Sequence, residues 1–442
     1  MENGDNSYLK KNDYVILAFF SGLSIFLSLL PFEPILSVII QLLIFFGTII
    51  FFKNRPVFSL IVIQFFSINL QNVLATKTDR GLSNITSEGY YLNFYIAVLL
   101  FIFYIILDIF IRKVSLKLST PVLLLCFLSF FSMNWIESDI YYNIEFVFLL
   151  VLYLSAHNFI KSDYDVRLLL FSTIINGGVF GIMAIPYLIN FSEDFIYDML
   201  LDTNYASLYC VVIVACSYVC LLVYSDKLTY KLKLFIFSII FLLGFAVVIT
   251  MSRTGLIVYL LTFVYYLLKE FGIKKIILLK NSIIFLGVIL FVYLYKSSYY
   301  INKAVDRFYL DDVNSMNGRT DISELYLDQF WKSKFFIQMF GNGYYSTFVN
   351  HIAPHNSFLA ILSFFGILGS FFFIWYFLDL FRSIQKSKYR PFELILIVFI
   401  VFGITLETFK FHMLVMMLTV LLAARELKDY SKMSRHQKLI TE

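Results

Sequence analysis

Long runs of apolar residues, joined by short polar hinges, occupy most of this sequence and constrain its fold more than any other feature. A backbone embedded in lipid must satisfy its own hydrogen bonds, and apolar runs of this length do so as helices. Hydrophobic residues make up 60% of the chain and charged residues only 15%, with a mean hydropathy of +0.81. This composition excludes an ordinary soluble globular class. The sequence therefore predicts an all-α, polytopic membrane protein.

The apolar runs also predict how many helices cross the membrane. Several of the candidate runs are shorter than the ~20 residues that usually span a bilayer, so we expect about 12–14 spans. The candidate spans lie near residues 14–31, 34–52, 57–75, 91–111, 120–133, 144–160, 167–189, 205–224, 233–250, 255–268, 276–295, 356–378, 392–408 and 411–424.

The positions of lysine and arginine predict the orientation of these spans. If the N-terminus is inside, most of the 35 basic residues fall on the cytoplasmic side. The largest outer loop, 296–355, is long enough to be largely exempt from this rule. We therefore expect a multi-pass protein of the cytoplasmic membrane with both termini inside, in which residues 425–442 form a basic cytoplasmic tail.

The large outer loop contains a segment with helical periodicity. Asp321 and Glu324 are spaced as in a capping box, which predicts Asp321 as the N-cap of a helix. The apolar residues that follow recur at helical spacing and predict an amphipathic helix on the outer membrane surface. These residues are Ile322, Leu325, Tyr326 and Phe330.

Three outward-facing places combine a predicted helix N-terminus with polar or cationic side chains. Ser252 and Arg253 lie where one span ends and the next begins, and Arg319 precedes the amphipathic helix. His355 and Asn356 open the span after the outer loop. A helix N-terminus offers free N–H donors and the positive end of a dipole, and a guanidinium group matches phosphate geometry. These residues therefore predict a site for a diphosphate.

Further residues extend this site, and each assignment has an ordinary alternative. Gly341 and Gly343 could add a nest of backbone N–H groups. Arg253 could instead only reach the membrane interface, Arg319 could pair with a carboxylate of the loop, and His355 could be structural. The sequence leaves these alternatives open.

The order and spacing of these motifs resemble those of the O-antigen ligase/polymerase superfamily, which includes Wzy-type polymerases and WaaL-type ligases. In ligases of that family an H-x10-G pattern marks the catalytic histidine, and His355 and Gly366 have this spacing. The R-x3-L pattern of polymerase loops is absent, because Ser323 stands four residues after Arg319. The matching motifs are Ser252-Arg-Thr-Gly255, Gly318-Arg319, Gly341-x-Gly343 and His355-Asn-x-Phe-Leu, with Gly366 and Gly369 downstream.

The resemblance covers roughly residues 233–424, whereas residues 1–232 match only as a bundle of spans. It implies a GT-C-like, inverting glycosyltransferase that uses undecaprenyl-diphosphate-linked glycans without a metal ion or other cofactor. His355 is then the expected base, with Asp321 or Asp328 as alternatives. The expected diphosphate-binding residues are Arg253, Arg319, Ser252, Gly341, Gly343 and Asn356.

The resemblance favours a polymerase that joins repeat units of a capsule or O-antigen at the outer face of the membrane. A ligase that moves finished glycan to another acceptor is the alternative enzyme. A flippase for lipid-linked oligosaccharides is a different class, but it would be expected to carry midplane polar residues and repeated halves, which the sequence lacks. The expected partners are lipid-linked donor and acceptor glycans, membrane lipid and other assembly proteins, with no nucleic acid.

Overall fold

The computed structural model of the protein is built from helices, and no strand occurs in the residues that it describes. These residues are 8–29, 34–66, 99–100, 102–113, 117–131, 149–154, 156–190, 203–250, 252–272, 319–343, 354–385, 388–410, 414–415, 417–423 and 427. The helices include α1 (Lys11–Leu29), α2 (Pro34–Phe51), α3 (Val57–Phe66), α4 (102–112), α5 (Thr120–Phe131), α6 (Asp163–Asn190), α7 (Thr203–Tyr224), α8 (Tyr230–Ile249), α9 (Arg253–Gly272), α10 (Arg319–Lys332), α11 (Phe335–Phe340), α12 (Ser357–Ile384) and α13 (Glu393–Gly403).

Four helices in the described part, α7, α8, α9 and α12, are long and apolar enough to cross a membrane. They coincide with the spans predicted near 205–224, 233–250 and 356–378, and α9 extends the short span predicted at 255–268 to 20 residues. All the described residues of the predicted span 120–133 are helical, since α5 covers 120–131. The predicted span 392–408 is not one continuous helix, because α13 ends at Gly403. The predicted span 276–295 lies outside the described residues.

Helices α6, α7 and α8 pack against one another. Glycines on α6 allow this contact. A Cβ atom at Gly177 would lie 2.4 Å from the Ile213 side chain on α7, and one at Gly181 would lie 2.3 Å from that of Leu242 on α8. Small residues are typical where membrane helices approach this closely. The middle helix α7 is buried along most of its length.

One end of the bundle is held together by side chains around Asp163, the first residue of α6. The Asp163 carboxylate accepts hydrogen bonds from Tyr224 at the end of α7 (2.9 Å) and from Tyr389 before α13 (2.7 Å). It also pairs with Lys388 at 2.6 Å. We call these four residues the Asp163 cluster. It places the start of α6, the end of α7 and the start of α13 at one end of the bundle.

The N-terminal helices reach the same end. Asp13 of α1 pairs with Arg55, between α2 and α3, at 2.6 Å, and Tyr164 of α6 donates a hydrogen bond to Asp13. The hinges that carry these residues therefore lie at the same end of the bundle. The distribution of lysine and arginine in the sequence predicts this arrangement. That this end faces the cytoplasm stays a prediction.

A buried ion pair joins α4 to its neighbours. Asp108 and Arg112 lie one helical turn apart and pair at 2.6 Å, and both side chains are almost completely buried. Ser59 of α3 donates to Asp108 (2.8 Å), and Arg112 donates to the Thr48 carbonyl of α2 (3.1 Å). Buried charges are stable only when they are paired and hydrogen-bonded. These contacts meet that condition and fix α4 against α2 and α3.

Candidate active site

Helix α12 is broken at Gly366. Its backbone has φ 66° and ψ −166°, a combination essentially restricted to glycine. The loop after α11 fits into this break, because the N–H of Asn342 donates to the Ser363 carbonyl (2.9 Å) and that of Gly343 to the Phe364 carbonyl (3.1 Å). The break and the loop therefore form one unit, which we call the glycine joint.

The glycine joint gives Gly341 and Gly343 a structural role in place of the predicted anion-binding nest. Both have positive φ, 83° and 86°, as a tight turn requires. The N–H of Gly341 donates to the Ile337 carbonyl (2.8 Å), and that of Gly343 donates to α12. These donors are engaged within the protein, so in this conformation the two glycines shape the joint and do not present an open nest to an anion.

Replacing Gly366 by alanine is expected to destabilise the protein. The new methyl group would lie 2.5 Å from the carbonyl carbon and oxygen of Met339 and 2.6 Å from the Gly341 nitrogen, and the backbone conformation alone costs a non-glycine residue about 1–3 kcal/mol. We expect a clearly lower thermal midpoint for the detergent-solubilised protein, measured by size-exclusion chromatography after heating. Gly22→Ala is the control, because a Cβ atom at Gly22 meets nothing within 4 Å. Equal thermal midpoints for the two variants would contradict the close packing of the loop against Gly366.

The N-terminus of α12 is capped by the side chain of Asn356. Its Oδ1 accepts hydrogen bonds from the N–H groups of Phe358 (2.9 Å) and Leu359 (3.1 Å), as N-cap residues do. Its Nδ2 donates to the Ile404 carbonyl just after α13 (3.2 Å). Asn356 therefore occupies two of the donors that were predicted to face a diphosphate, and it fixes the position of the helix N-terminus relative to α13.

Ser357 adds a second attachment between α12 and the segment after α13. Its hydroxyl donates to the Leu406 carbonyl (2.8 Å) and accepts from the Thr408 N–H (2.7 Å). Ser357 and Thr408 are completely buried. The first turn of α12 is thus anchored inside the protein by both its cap and its first residue.

These contacts place the N-terminus of α12 within the bundle. Helix α13 begins at the Asp163 cluster and packs against α7. Its 11 residues cover about 16 Å, roughly half of the length of the 22-residue α7. The side chain of Asn356 is hydrogen-bonded to Ile404, one residue after the end of α13. Since Ser357 and Thr408 are completely buried, the first turn of α12 lies inside the protein, at the end of α13 away from the Asp163 cluster.

His355 directly precedes this cap and has an unusual backbone conformation. It is part-buried, and its φ of 47° lies in the left-handed region. Non-glycine residues adopt this region infrequently, although histidine does so more readily than most. Such conformations cost about 1–3 kcal/mol and persist where the surroundings fix them, which is common at functional sites. Of the predicted residues, His355 therefore has the most distinctive geometry.

Ser252 and Arg253 belong to a second unit, at the N-terminus of α9. The Ser252 hydroxyl accepts from the Gly255 N–H (3.1 Å) and donates to Asn204 Oδ1 (2.9 Å), so Ser252 caps α9 and ties it to α7. A Cβ atom at Gly255 would lie 2.5 Å from the Cβ of Ser207, which shows how closely the two helices approach. Arg253 is the first residue after the cap and is part-buried. It lies at the end of α7 opposite the Asp163 cluster.

The predicted residues of the outer loop lie on α10. Arg319 is its first residue, so Asp321 lies in the first turn and is not the N-cap that the sequence predicted. A carboxylate at this position still interacts favourably with the positive end of the helix dipole. Asp328 pairs with Lys332 at 2.6 Å on the exposed side of the helix. The two alternative bases therefore differ in their surroundings. Asp321 lies in the first turn of α10, and Asp328 is paired with Lys332.

The predicted apolar face of α10 is only partly correct. Tyr326 and Phe330 are almost fully buried, and α10 packs against α11 and α12. Burial raises the pKa of the Tyr326 phenol to about 12. Leu325, which was assigned to the same face, is exposed together with Trp331. One face of α10 is therefore buried within the protein, and a different set of apolar residues remains exposed.

Two residues of the site were not found from the sequence. Asn204 holds the α9 cap in place, and Thr408 holds the first residue of α12. Each is a polar residue at or next to the end of a predicted span, which is the signal that could have identified them. Their partners are distant in the sequence, so the contacts themselves could not be predicted.

Among the described residues, no group of three or more His, Cys, Asp or Glu side chains is placed to hold a metal ion. Metal independence stays a prediction.

No protein-family model matches the chain, and no curated protein matches it. Inferences about its function therefore depend on its own residues and their geometry.

Proposed function

We propose that this protein is a membrane-embedded glycosyltransferase that joins undecaprenyl-diphosphate-linked oligosaccharide repeat units of a capsule or O-antigen. The reaction takes place at a site open to the outer face of the cytoplasmic membrane. The observation that carries this proposal is the left-handed backbone of His355, directly before a capped helix N-terminus within the bundle. A strained histidine in such a place fits a positioned base better than a residue with only a structural role.

The proposed reaction is a single displacement at the anomeric carbon of the donor. The acceptor sugar hydroxyl attacks this carbon while the bond to the diphosphate breaks, which inverts its configuration. His355 accepts the hydroxyl proton, and the diphosphate leaves on its lipid with the bonding electrons. The leaving group needs its negative charge stabilised more than it needs a proton. Arg253, Arg319 and the positive ends of helix dipoles supply that stabilisation.

The proposed partners follow from this chemistry. Donor and acceptor are both lipid-linked glycans, and the protein functions in membrane lipid next to other capsule or O-antigen assembly proteins. No cofactor takes part in the proposed step, and no nucleic acid is a partner.

Deletion of the gene, followed by analysis of the glycans, tests the proposal. A polymerase defect leaves products of one repeat unit, because single units are still exported and attached. Full-length chains that remain on the lipid carrier would indicate a ligase, and intact repeats trapped inside the cell would indicate a flippase. Either of these two outcomes would contradict the proposal.

The purified protein is expected to retain its activity in EDTA. A guanidinium group and helix dipoles can neutralise a departing diphosphate without a divalent cation. The assay supplies lipid-linked donor and acceptor and compares rates with and without the chelator. Loss of activity in EDTA with recovery in Mg²⁺ or Mn²⁺ would show that the site binds a metal ion, and the acidic residues of the outer loop would then be the first candidates for ligands.

A further inference from the structure

An apolar groove runs between α12 and α13. Its volume is about 660 Å³, within the usual range for ligand sites. One wall is formed by α12 on both sides of the break at Gly366, from Phe358 to Phe381, and the other by α13 from Glu393 to Ile400. The broken helix therefore shapes the glycine joint and also provides a wall of this groove.

The walls of the groove offer almost nothing but hydrocarbon. Its two polar lining residues are already engaged within the protein. Ser370 donates to the Gly366 carbonyl (2.9 Å), and Glu393 accepts from Tyr265 (2.7 Å) and pairs with Lys269 (3.0 Å). The lining therefore offers few partners to a polar ligand. The groove is suited to a hydrocarbon chain.

The groove is open to the bilayer along one side. Ile374 and Leu378 on α12 and Ile400 on α13 line it and are each about half exposed or more. These exposed side chains belong to apolar helices, so lipid is the medium that they meet. A hydrocarbon chain could therefore enter sideways from the membrane and would not need to thread through the protein.

One end of the groove adjoins the candidate active site. Phe358 lines the groove, and its N–H group donates a hydrogen bond to the side chain of Asn356, the residue that follows His355. A lipid whose chain occupies the groove would thus bring its polar headgroup toward His355. We propose that the groove binds the polyprenyl chain of the lipid-diphosphate-linked substrate and so positions the diphosphate at the N-terminus of α12. This inference rests on the proposed function, because it identifies the occupant as the substrate lipid.

Filling the groove should weaken binding of long-chain substrates selectively. Ile374→Trp and Ile400→Trp each add an indole at an exposed position on one wall, so neither disturbs the core. Phe371→Trp is the matched control, because Phe371 is 59% exposed on the same helix as Ile374, which is 60% exposed, but does not line the groove. The assay measures KM for two substrates that carry the same glycan, one on a full-length polyprenyl diphosphate and one on a ten-carbon analogue.

The proposal predicts a KM at least about tenfold higher for the long-chain substrate in the groove variants, with little change for the short-chain substrate. The control should behave as wild type with both. Equal effects on the two substrates, or none, would overturn the groove as the chain site. If wild type used neither substrate, the proposed function would fail, and the groove would be judged by labelling alone.

Labelling with a photoreactive polyprenyl diphosphate that carries no glycan provides this second test. In nanodiscs, the probe is expected to label the groove lining, and unlabelled polyprenyl diphosphate should compete whereas added phospholipid should not. Equal competition by phospholipid would show that ordinary membrane lipid fills the groove, and labelling elsewhere would place the chain in another site. Either result would overturn this inference.

Discussion

Replacement of His355 by alanine should nearly abolish glycosyl transfer. A positioned general base typically contributes about 10²–10⁴-fold to a rate, and His355 is the residue to which we assign this role. The sequence offers an internal control in His351, four residues earlier. Because Pro354 lies between the two histidines, they need not share a helical face, and His351→Ala should keep most of the activity. Rates are compared in vitro at equal amounts of protein.

The backbone of His355 requires a second control. Alanine at a φ of 47° could disturb the loop and lower activity without any role for the imidazole. Asparagine adopts the left-handed region readily, so His355→Asn keeps the backbone while it removes the base. We expect His355→Asn to be as inactive as His355→Ala. A rate within about threefold of wild type in either variant would exclude His355 as the base, whereas a fully active His355→Gln would limit its role to hydrogen bonding.

Replacement of Arg253 by lysine should be almost as damaging as replacement by alanine. If Arg253 binds the diphosphate with two nitrogens, a lysine retains the charge but loses the planar donor pair. Hydrogen bonds to charged groups contribute about 1.5–3 kcal/mol, which corresponds to a loss of roughly tenfold to a hundredfold. Initial rates with the lipid-linked substrate measure this loss. Arg319→Lys should show the same pattern more weakly.

The controls for Arg253 separate phosphate binding from anchoring. Ser252 and Gly255 tie the start of α9 to α7 without the guanidinium group, so both Arg253 variants should reach the membrane in normal amounts. Membrane content is measured by immunoblot alongside chain length. A lysine variant with the chain-length distribution of wild type would show that Arg253 only positions α9 at the interface.

Sequence patterns predicted the long helices of the described part well. The spans near 205–224, 233–250 and 356–378 appear as helices because their apolar character is continuous and their ends carry polar residues. The hinges rich in basic residues also share one end of the bundle, as Arg55 and Lys388 illustrate. These are local properties, and each can be identified from a short window of sequence.

Contacts between distant segments could not be predicted in this way. Gly366 was noticed only for its distance from His355, and nothing local indicates that it breaks α12 to receive the loop at Gly343. The predicted span 91–111 leaves Arg112 just beyond its end, whereas Arg112 pairs inside the bundle with Asp108 one turn earlier. The i, i+4 spacing of these two charges was the signal for that pair. Burial decided its role, and burial depends on the neighbouring helices.

The most direct test of the proposed function is to reconstitute the purified protein in nanodiscs with one substrate, a single repeat unit on undecaprenyl diphosphate. The products are separated by size after incubation in EDTA. We expect a ladder of products at multiples of the repeat unit with wild type, and single units with His355→Asn. Single units with folded wild-type protein, or transfer that occurs only when a different acceptor is added, would contradict it.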